Sequence, residues 1–206
     1  MLKVLGRITS INVRKVLWAA DEMGVGYTRE DWGKPIRDPH EPEFLALNPN
    51  AQVPVIIDDG FVLWESGAVL RYLAARTASD LWPADLQERA LVDQWLTWQG
   101  TELNPAWMYA VRALLRGDPP NPDPARIAVS IADWTKDMQM LEARLAQTDG
   151  FVANGRFSLA DIALGLSTHR WMSVAFDKPA LPEVEAHYAA MKRRPAAAKY
   201  LGETTP

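Results

Sequence analysis

The stretch Asn48-Pro49-Asn50-Ala51-Gln52-Val53-Pro54-Val55-Ile56-Ile57 decides how this chain is read. It is turn-rich and runs directly into a β-branched strand. Proline at 54 removes a backbone donor and admits a cis bond, so Val53 is left with backbone polar groups that the strand need not use. Such groups can pair with an extended peptide. Ten residues on, Trp64-Glu65-Ser66 opens a periodic helix with Val69, Leu70, Tyr72 and Leu73 on one stripe. Free N–H groups and the dipole at a helix start favour a carboxylate. A peptide clamp beside an anion-binding helix start suits a small acidic peptide with a free α-amino group.

Working outward, the first segment predicts a strand over Leu2–Leu5 and a helix over Val13–Met23, with Val13, Val16, Leu17 and Ala20 on its buried face. A strand near Tyr27–Glu30 follows, then an irregular stretch, 32–47, punctuated by Gly33, Pro35, Pro39 and Pro42. Strands Val55–Ile57 and Phe61–Leu63 flank Asp58-Asp59-Gly60, a hairpin signal, and a helix covers Gly67–Ala75. Ala78–Pro83 reads as a linker, and after it every strong signal is helical. One helix is expected from Leu86 to about Leu115, with Pro105 as the place for a kink. Gly117–Pro124 holds four prolines and reads as a loop. Ile127, Ile131, Trp134, Met138, Leu141 and Leu145 then form a core-facing seam. Ser158-Leu159-Ala160-Asp161 is a capping-box pattern with a structural role, and His169 and His187 read as ordinary helix residues.

Composition removes several classes of function. A net charge of -4 over 206 residues offers no basic surplus for nucleic acid. No apolar run reaches membrane-spanning length. The start, Met1 to Arg7, turns polar too early for a signal peptide, so a cytoplasmic location is expected. With zero cysteines the chain has no disulfide, no thiolate metal ligand and no protein thiol for catalysis. Three scattered histidines add no metal-ligand pattern. Any sulfur chemistry must arrive with the substrate.

The segments 48–54, 64–73 and 154–162 resemble the glutathione transferase superfamily, and the order of predicted elements agrees over essentially the full length. The resemblance implies an α+β fold: a thioredoxin-like βαβ-ββα domain over 1–77, a linker over 78–84, and an all-α helical domain over 85–206. It implies glutathione as co-substrate, no metal, a hydrophobic electrophile as second substrate, a detoxifying role and a homodimer. The interface of that dimer would draw on Gly60–Tyr72 and the first helices of the second domain, with Arg71 and Arg89 as polar members.

Within that resemblance the loop Thr9-Ser10-Ile11-Asn12 is where a hydroxyl-using transferase places its donors. It is similar to the loop of bacterial theta- and nu-like branches. A free thiol with a pKa of about 8.5 is only ~3% thiolate at pH 7. Lowering it by about two units requires ~2.7 kcal/mol in favour of the anion, which one or two donors plus a helix start can provide. Ser10 and Asn12 are the expected catalytic donors, with Thr9 as fallback; read locally, Ser10 and Asn12 are also ordinary helix caps. No tyrosine precedes Tyr27, so a tyrosine-type site is excluded.

Glu65 would take the γ-glutamyl ammonium and Ser66 its carboxylate. Val53, before Pro54, would pair by its backbone with the cysteinyl unit; Gln52 could reach the glycine end. His40 is the expected partner of the glycyl carboxylate, with Lys34 and Arg37 as competitors. Trp98, Trp107 and Met108 on the long helix suit a co-substrate pocket and equally suit a core. Two alternatives stay open: a non-catalytic binding protein of the same fold, and a glutathione-dependent isomerase, although the Ser-Cys pair of maleylacetoacetate-type isomerases is missing from the loop.

Overall fold

The computed structural model describes residues 1–202. The described residues divide into two compact units, 1–82 with 195–202, and Pro83–Arg194.

The first unit is built on a four-stranded sheet in the order β2-β1-β3-β4. Its strands are β1 (Leu2–Leu5), β2 (Tyr27–Glu30), β3 (Val55–Asp58) and β4 (Phe61–Trp64). The two inner strands carry the apolar residues: Val4, Leu5, Val55 and Ile56 are buried, whereas Thr28 and Arg29 on the edge strand β2 face water. β1 runs parallel to β2 and antiparallel to β3, and β3 pairs antiparallel with β4. A parallel pair needs a crossover, and α1 (Ile11–Glu22) supplies it. The expected hairpin forms at Asp59-Gly60, where both residues take positive φ, 48° and 91°, as a tight primed turn requires. α2 (Pro42–Leu45) is a single turn, and α3 (Ser66–Arg76) buries Val69, Leu70, Leu73 and Ala74.

α1 starts two residues earlier than its apolar stripe implied, because Ser10 is extended at φ −83°, ψ 124° and hands over directly to Ile11. A larger difference concerns the end of the chain. The expected second domain ran from 85 to the last residue, yet the helical unit ends at Arg194 and the following segment belongs with the sheet. A 3₁₀ turn, Pro195–Lys199, leads to Tyr200, which is buried and stacked on Trp18 of α1.

In the second unit, Asp85 caps α4 (Leu86–Trp98) through the N–H groups of Gln87 and Glu88, each at 3.0 Å. The expected single helix to residue 115 is interrupted. A π-helical turn, Gln99–Leu103, separates α4 from α5 (Asn104–Arg116). Pro105 has no N–H to close an α-turn, and the wider turn absorbs the mismatch ahead of it instead of a kink at it. On α6 (Pro124–Leu145) the seam buries Trp134, Met138, Leu141 and Leu145, while Ile127 and Ile131 stay partly exposed. α7 (Leu159–Ser173) is buried on all sides from Leu159 to Trp171, its polar residues Asp161, Ser167, Thr168, His169 and Arg170 included. α8 (Pro182–Lys192) closes the unit.

The capping box at the start of α7 is the polar centre of this unit. Asp161 accepts from the Ser158 N–H at 2.9 Å, the Ser158 hydroxyl at 2.8 Å and the Val152 N–H at 3.0 Å. Its Oδ1 also lies 3.1 Å from Nε2 of His187 on α8. Asp161 and the side chain of His187 have no exposure at all. His187 is therefore a core residue, and His169, 2.6 Å from the Tyr188 hydroxyl, is nearly so.

Candidate active site

The sheet register gathers the site. Leu5 pairs with both Glu30 and Val55, and Val55 pairs with Trp64. The last residues of β1, β2 and β4 and the first of β3 therefore lie in one row across the sheet. The segments beyond that row carry Ser10 and Asn12, the 31–41 loop, Val53-Pro54 and Glu65-Ser66. Gly6 makes this convergence possible. A Cβ there would stand 2.4 Å from Cγ2 of Val13 and 3.2 Å from Cβ of Val53. Any side chain at 6 would push α1 away from the Val53 loop.

The Val53–Pro54 bond is cis. Neither the N–H nor the C=O of Val53 has a partner among the described residues. The loop before it is pinned by Asn48, which is buried; its Nδ2 donates to the Gln52 carbonyl at 2.8 Å and its Oδ1 accepts from the Asn50 N–H at 3.0 Å. Gln52 itself is exposed. Asn48 was legible only as a turn former, since its partners are main-chain groups that no side-chain pattern reveals.

Glu65 is the residue just before α3, at φ 68°, ψ 112°. A non-glycine residue held in such a region costs on the order of 1–3 kcal/mol and persists only where the surroundings enforce it. Its side chain makes no capping bond, and it is exposed. Ser66 follows at 9% exposure, with its hydroxyl unpartnered among the described residues. The first N–H groups of α3 thus have no side-chain acceptor among the described residues. Arg71 lies close by: its Nη1 would stand 3.0 Å from a Cβ on Gly67, so glycine at 67 admits a guanidinium to the first turn. Two carboxylate-favouring features coincide there, a helix start and a cation.

At the start of α1, the Ser10 carbonyl accepts from the Arg14 N–H at 3.0 Å, but the Ser10 hydroxyl caps nothing. The capping role that local sequence offered for Ser10 is not the one it takes. Asn12, in the first turn, has a buried Oδ1 without a partner among the described residues. Thr9 is exposed, and its hydroxyl accepts from Nη1 of Arg7 at 2.8 Å.

The 31–41 loop is held by ion pairs. Arg37 lies over the Trp32 ring at 3.6 Å and meets Glu30 at 2.9 Å, Glu41 at 3.2 Å, and Glu43. Glu30 is held below the usual carboxylate range, first by its bond from Lys3. His40 is exposed, and its Nδ1 lies 2.9 Å from Asp38, which also pairs with Lys34 at 3.1 Å. The backbone N–H of His40, then its ring, then Lys34 bring the Asp38 carboxyl down to about 2.

The three expected pocket residues take different positions. Trp98 borders a 350 Å³ hollow in the second unit with Trp95, Met140 and Arg144. Trp107 is buried against Trp134, 6.4 Å between ring centres, with the Arg170 guanidinium 4.4 Å above it, so it serves the core. Met108, one residue on, is 48% exposed because a single step turns it about 100° round α5, away from the face of Trp107. No cluster of three or more metal-ligating side chains occurs among the described residues.

A thioredoxin-like sheet whose open end presents an unpaired backbone segment after Asn48 and a bare helix start has the features that suit an extended peptide with a carboxylate. Comparison with known proteins makes this specific. The family model for the glutathione S-transferase N-terminal domain matches residues 1–75. The chain is 32% identical to glutathione S-transferase GstB of Escherichia coli K12, over 97% of both chains. Among solved structures, a theta class glutathione S-transferase of Xanthomonas axonopodis pv. citri with glutathione bound superimposes with a TM-score of 0.94, at 36% identity, covering 100% of this chain and 99% of that one. Glutathione transferase F7 of Populus trichocarpa gives 0.85 at 28% identity, with 97% of each chain covered. The chain belongs to the glutathione transferase superfamily.

Proposed function

We propose that this glutathione transferase holds glutathione across the open end of the sheet and stabilises its thiolate from the start of α1. Val53 pairs through its N–H and C=O with the cysteinyl unit, beside Pro54. Glu65 takes the γ-glutamyl ammonium, and Ser66, by hydroxyl and N–H, takes the γ-glutamyl carboxylate. Ser10 and Asn12 donate to the sulfur. Gln52 and His40 lie toward the glycyl end. The observation that carries the reading is the set of uncommitted polar groups, Val53 main chain, Ser66 hydroxyl and Ser10 hydroxyl, on segments that leave one row of the sheet.

The thiolate then attacks an electrophilic carbon, a peroxide or a disulfide. In alkyl or aryl transfer, the new carbon–sulfur bond forms as the leaving group departs with its electron pair. The Ser10 hydroxyl keeps its proton throughout: it stabilises the anion as a donor and is not a base. Ultraviolet absorbance of the bound thiolate, followed against pH, tests the reading. A bound thiol pKa near 6.5 is expected, about two units below the free value. Glutathione bound with an unshifted thiol would leave only a non-catalytic binding protein.

The functional unit is further proposed to be a cytoplasmic homodimer. A 23.0 kDa particle, fully active in sedimentation at micromolar concentration, would refute the dimer.

A further inference from the structure

The segment after Pro195 contacts α1 in a way that ligand binding does not account for. Tyr200 meets Arg14, Trp18 and Asp21, which stand at positions i, i+4 and i+7 and so share one face of the helix. Nη1 of Arg14 donates to the Tyr200 carbonyl at 3.2 Å. The Trp18 ring stacks on Tyr200 at 6.4 Å with 20° between planes. The Tyr200 hydroxyl donates to Asp21 at 2.7 Å, and Lys199 reaches the same carboxylate oxygen at 2.9 Å. The hydroxyl of Tyr27, on β2, lies 3.2 Å away.

Arg14, Trp18 and Tyr200 are each exposed by 1% or less. Burial first, then the bonds with Tyr27 and Asp21, push the Tyr200 phenol far above its ordinary range, so it remains a protonated donor. Arg14 links this contact to the site: its own N–H closes the first turn of α1 on the Ser10 carbonyl at 3.0 Å.

Resting on the reading that Ser10 and Asn12 donate to sulfur, we propose that Tyr200 is a positioning residue for that chemistry. Gripping three successive turns of one face fixes the rotation and height of α1, and with them the direction in which its first turn presents donors. Hydrogen bonds to sulfur tolerate little misalignment, and displacements of about 1 Å can cost up to ~10²-fold in rate. The groups assigned to the rest of glutathione stand on other segments, Val53 before β3 and Glu65-Ser66 at α3. Loosening α1 should therefore change the state of the sulfur more than the hold on the peptide.

The test uses the full chain with Tyr200→Ala and Tyr200→Phe, glutathione as the probe, and two readouts. Calorimetry gives the affinity and thiolate absorbance against pH gives the thiol pKa of bound glutathione. In Tyr200→Ala the bound thiol pKa should rise by about half to one unit while affinity stays within about threefold. Tyr200→Phe keeps the ring and the carbonyl and loses the bonds to Asp21 and Tyr27, so it should shift in the same direction by less. A merely structural role predicts an unmoved pKa in the folded fraction. If Tyr200→Ala does not fold, Tyr200→Phe decides alone. An unshifted thiol in the unsubstituted protein overturns the donor reading and this proposal with it. A lowered thiol pKa that neither variant moves overturns this proposal alone.

Discussion

Val55 pairs with Trp64 across β3 and β4, and this register sets Val53 and Ser66 beyond the same end of the sheet. Two features far apart in chemistry, an unpaired backbone segment and a bare helix start, are thereby held in fixed relation by an ordinary ladder. Because β1 pairs with β3 in turn, the Ser10 loop is tied to the same frame.

Glu65 combines an assigned binding role with a strained backbone, and two substitutions separate them. Glu65→Ala removes the carboxylate and keeps the unfavourable φ of 68°. Glu65→Gly removes both, so it should be more stable than the alanine variant by about 1 kcal/mol in denaturant unfolding. Each should weaken glutathione binding by ~1.5–3 kcal/mol, roughly 10- to 100-fold in Kd, through loss of the ammonium's charged partner. Unchanged affinity in calorimetry would remove Glu65 from the site.

For Ser10→Ala, kcat should fall while the affinity for glutathione stays near its original value, because the lost bond is stronger to the anion than to the thiol. Asn12 covers part of the loss. The double variant Ser10→Ala, Asn12→Ala should therefore lose more than either single one, by about 10²-fold in kcat/KM. Full activity in the double variant would move the donor role to Thr9 or to a backbone N–H.

Removal of the Asp161 carboxylate should be severe, although it lies outside the assigned site. Four groups converge on it with no solvent contact: the Ser158 N–H and hydroxyl, the Val152 N–H and His187. Asp161→Ala leaves them buried without partners, at about 3–5 kcal/mol, where an exposed cap would cost ~1. Thermal unfolding of the variant within a few degrees of the original protein would contradict this.

Asp38 offers a pH test of the 31–41 loop. Its carboxyl is lowered to about 2 by the His40 N–H, the His40 ring and Lys34, in that order. A depressed carboxyl favours the ordered loop above its unfolded value, and that contribution fades as pH falls from about 4 toward 2. Carbon NMR of the Asp38 carboxyl should show the low midpoint in the original protein. Titration at the ordinary value would mean that the loop is not held by this residue in solution.

Much of the fold was legible because its signals are local. The β-branched run at 55–57, the Asp59-Gly60 turn and the α6 seam each follow from neighbours within a few residues. The cis bond before Pro54 and the uncommitted backbone of Val53 were legible for the same reason, since proline constrains its own backbone. What escaped depends on distant partners. Nothing near His187 announces Asp161, 26 residues earlier. Trp107 and Met108 look alike as large apolar side chains, and only the meeting of α5 with α6 sorts one inward and one outward. The strain at Glu65 was also hidden, because its sequence reads as an ordinary helix start.

The return of Tyr200 to α1 has a consequence for how the protein is made. Residues 1–82 leave the ribosome well before the segment that braces their first helix, with the whole of 83–194 translated in between. At roughly 5–20 residues per second this leaves the nascent sheet without its brace for on the order of ten seconds. A chain released early in its last stretch would carry every residue proposed above to contact glutathione and still lack the contact of Tyr200 with α1 that is proposed to orient the sulfur donors.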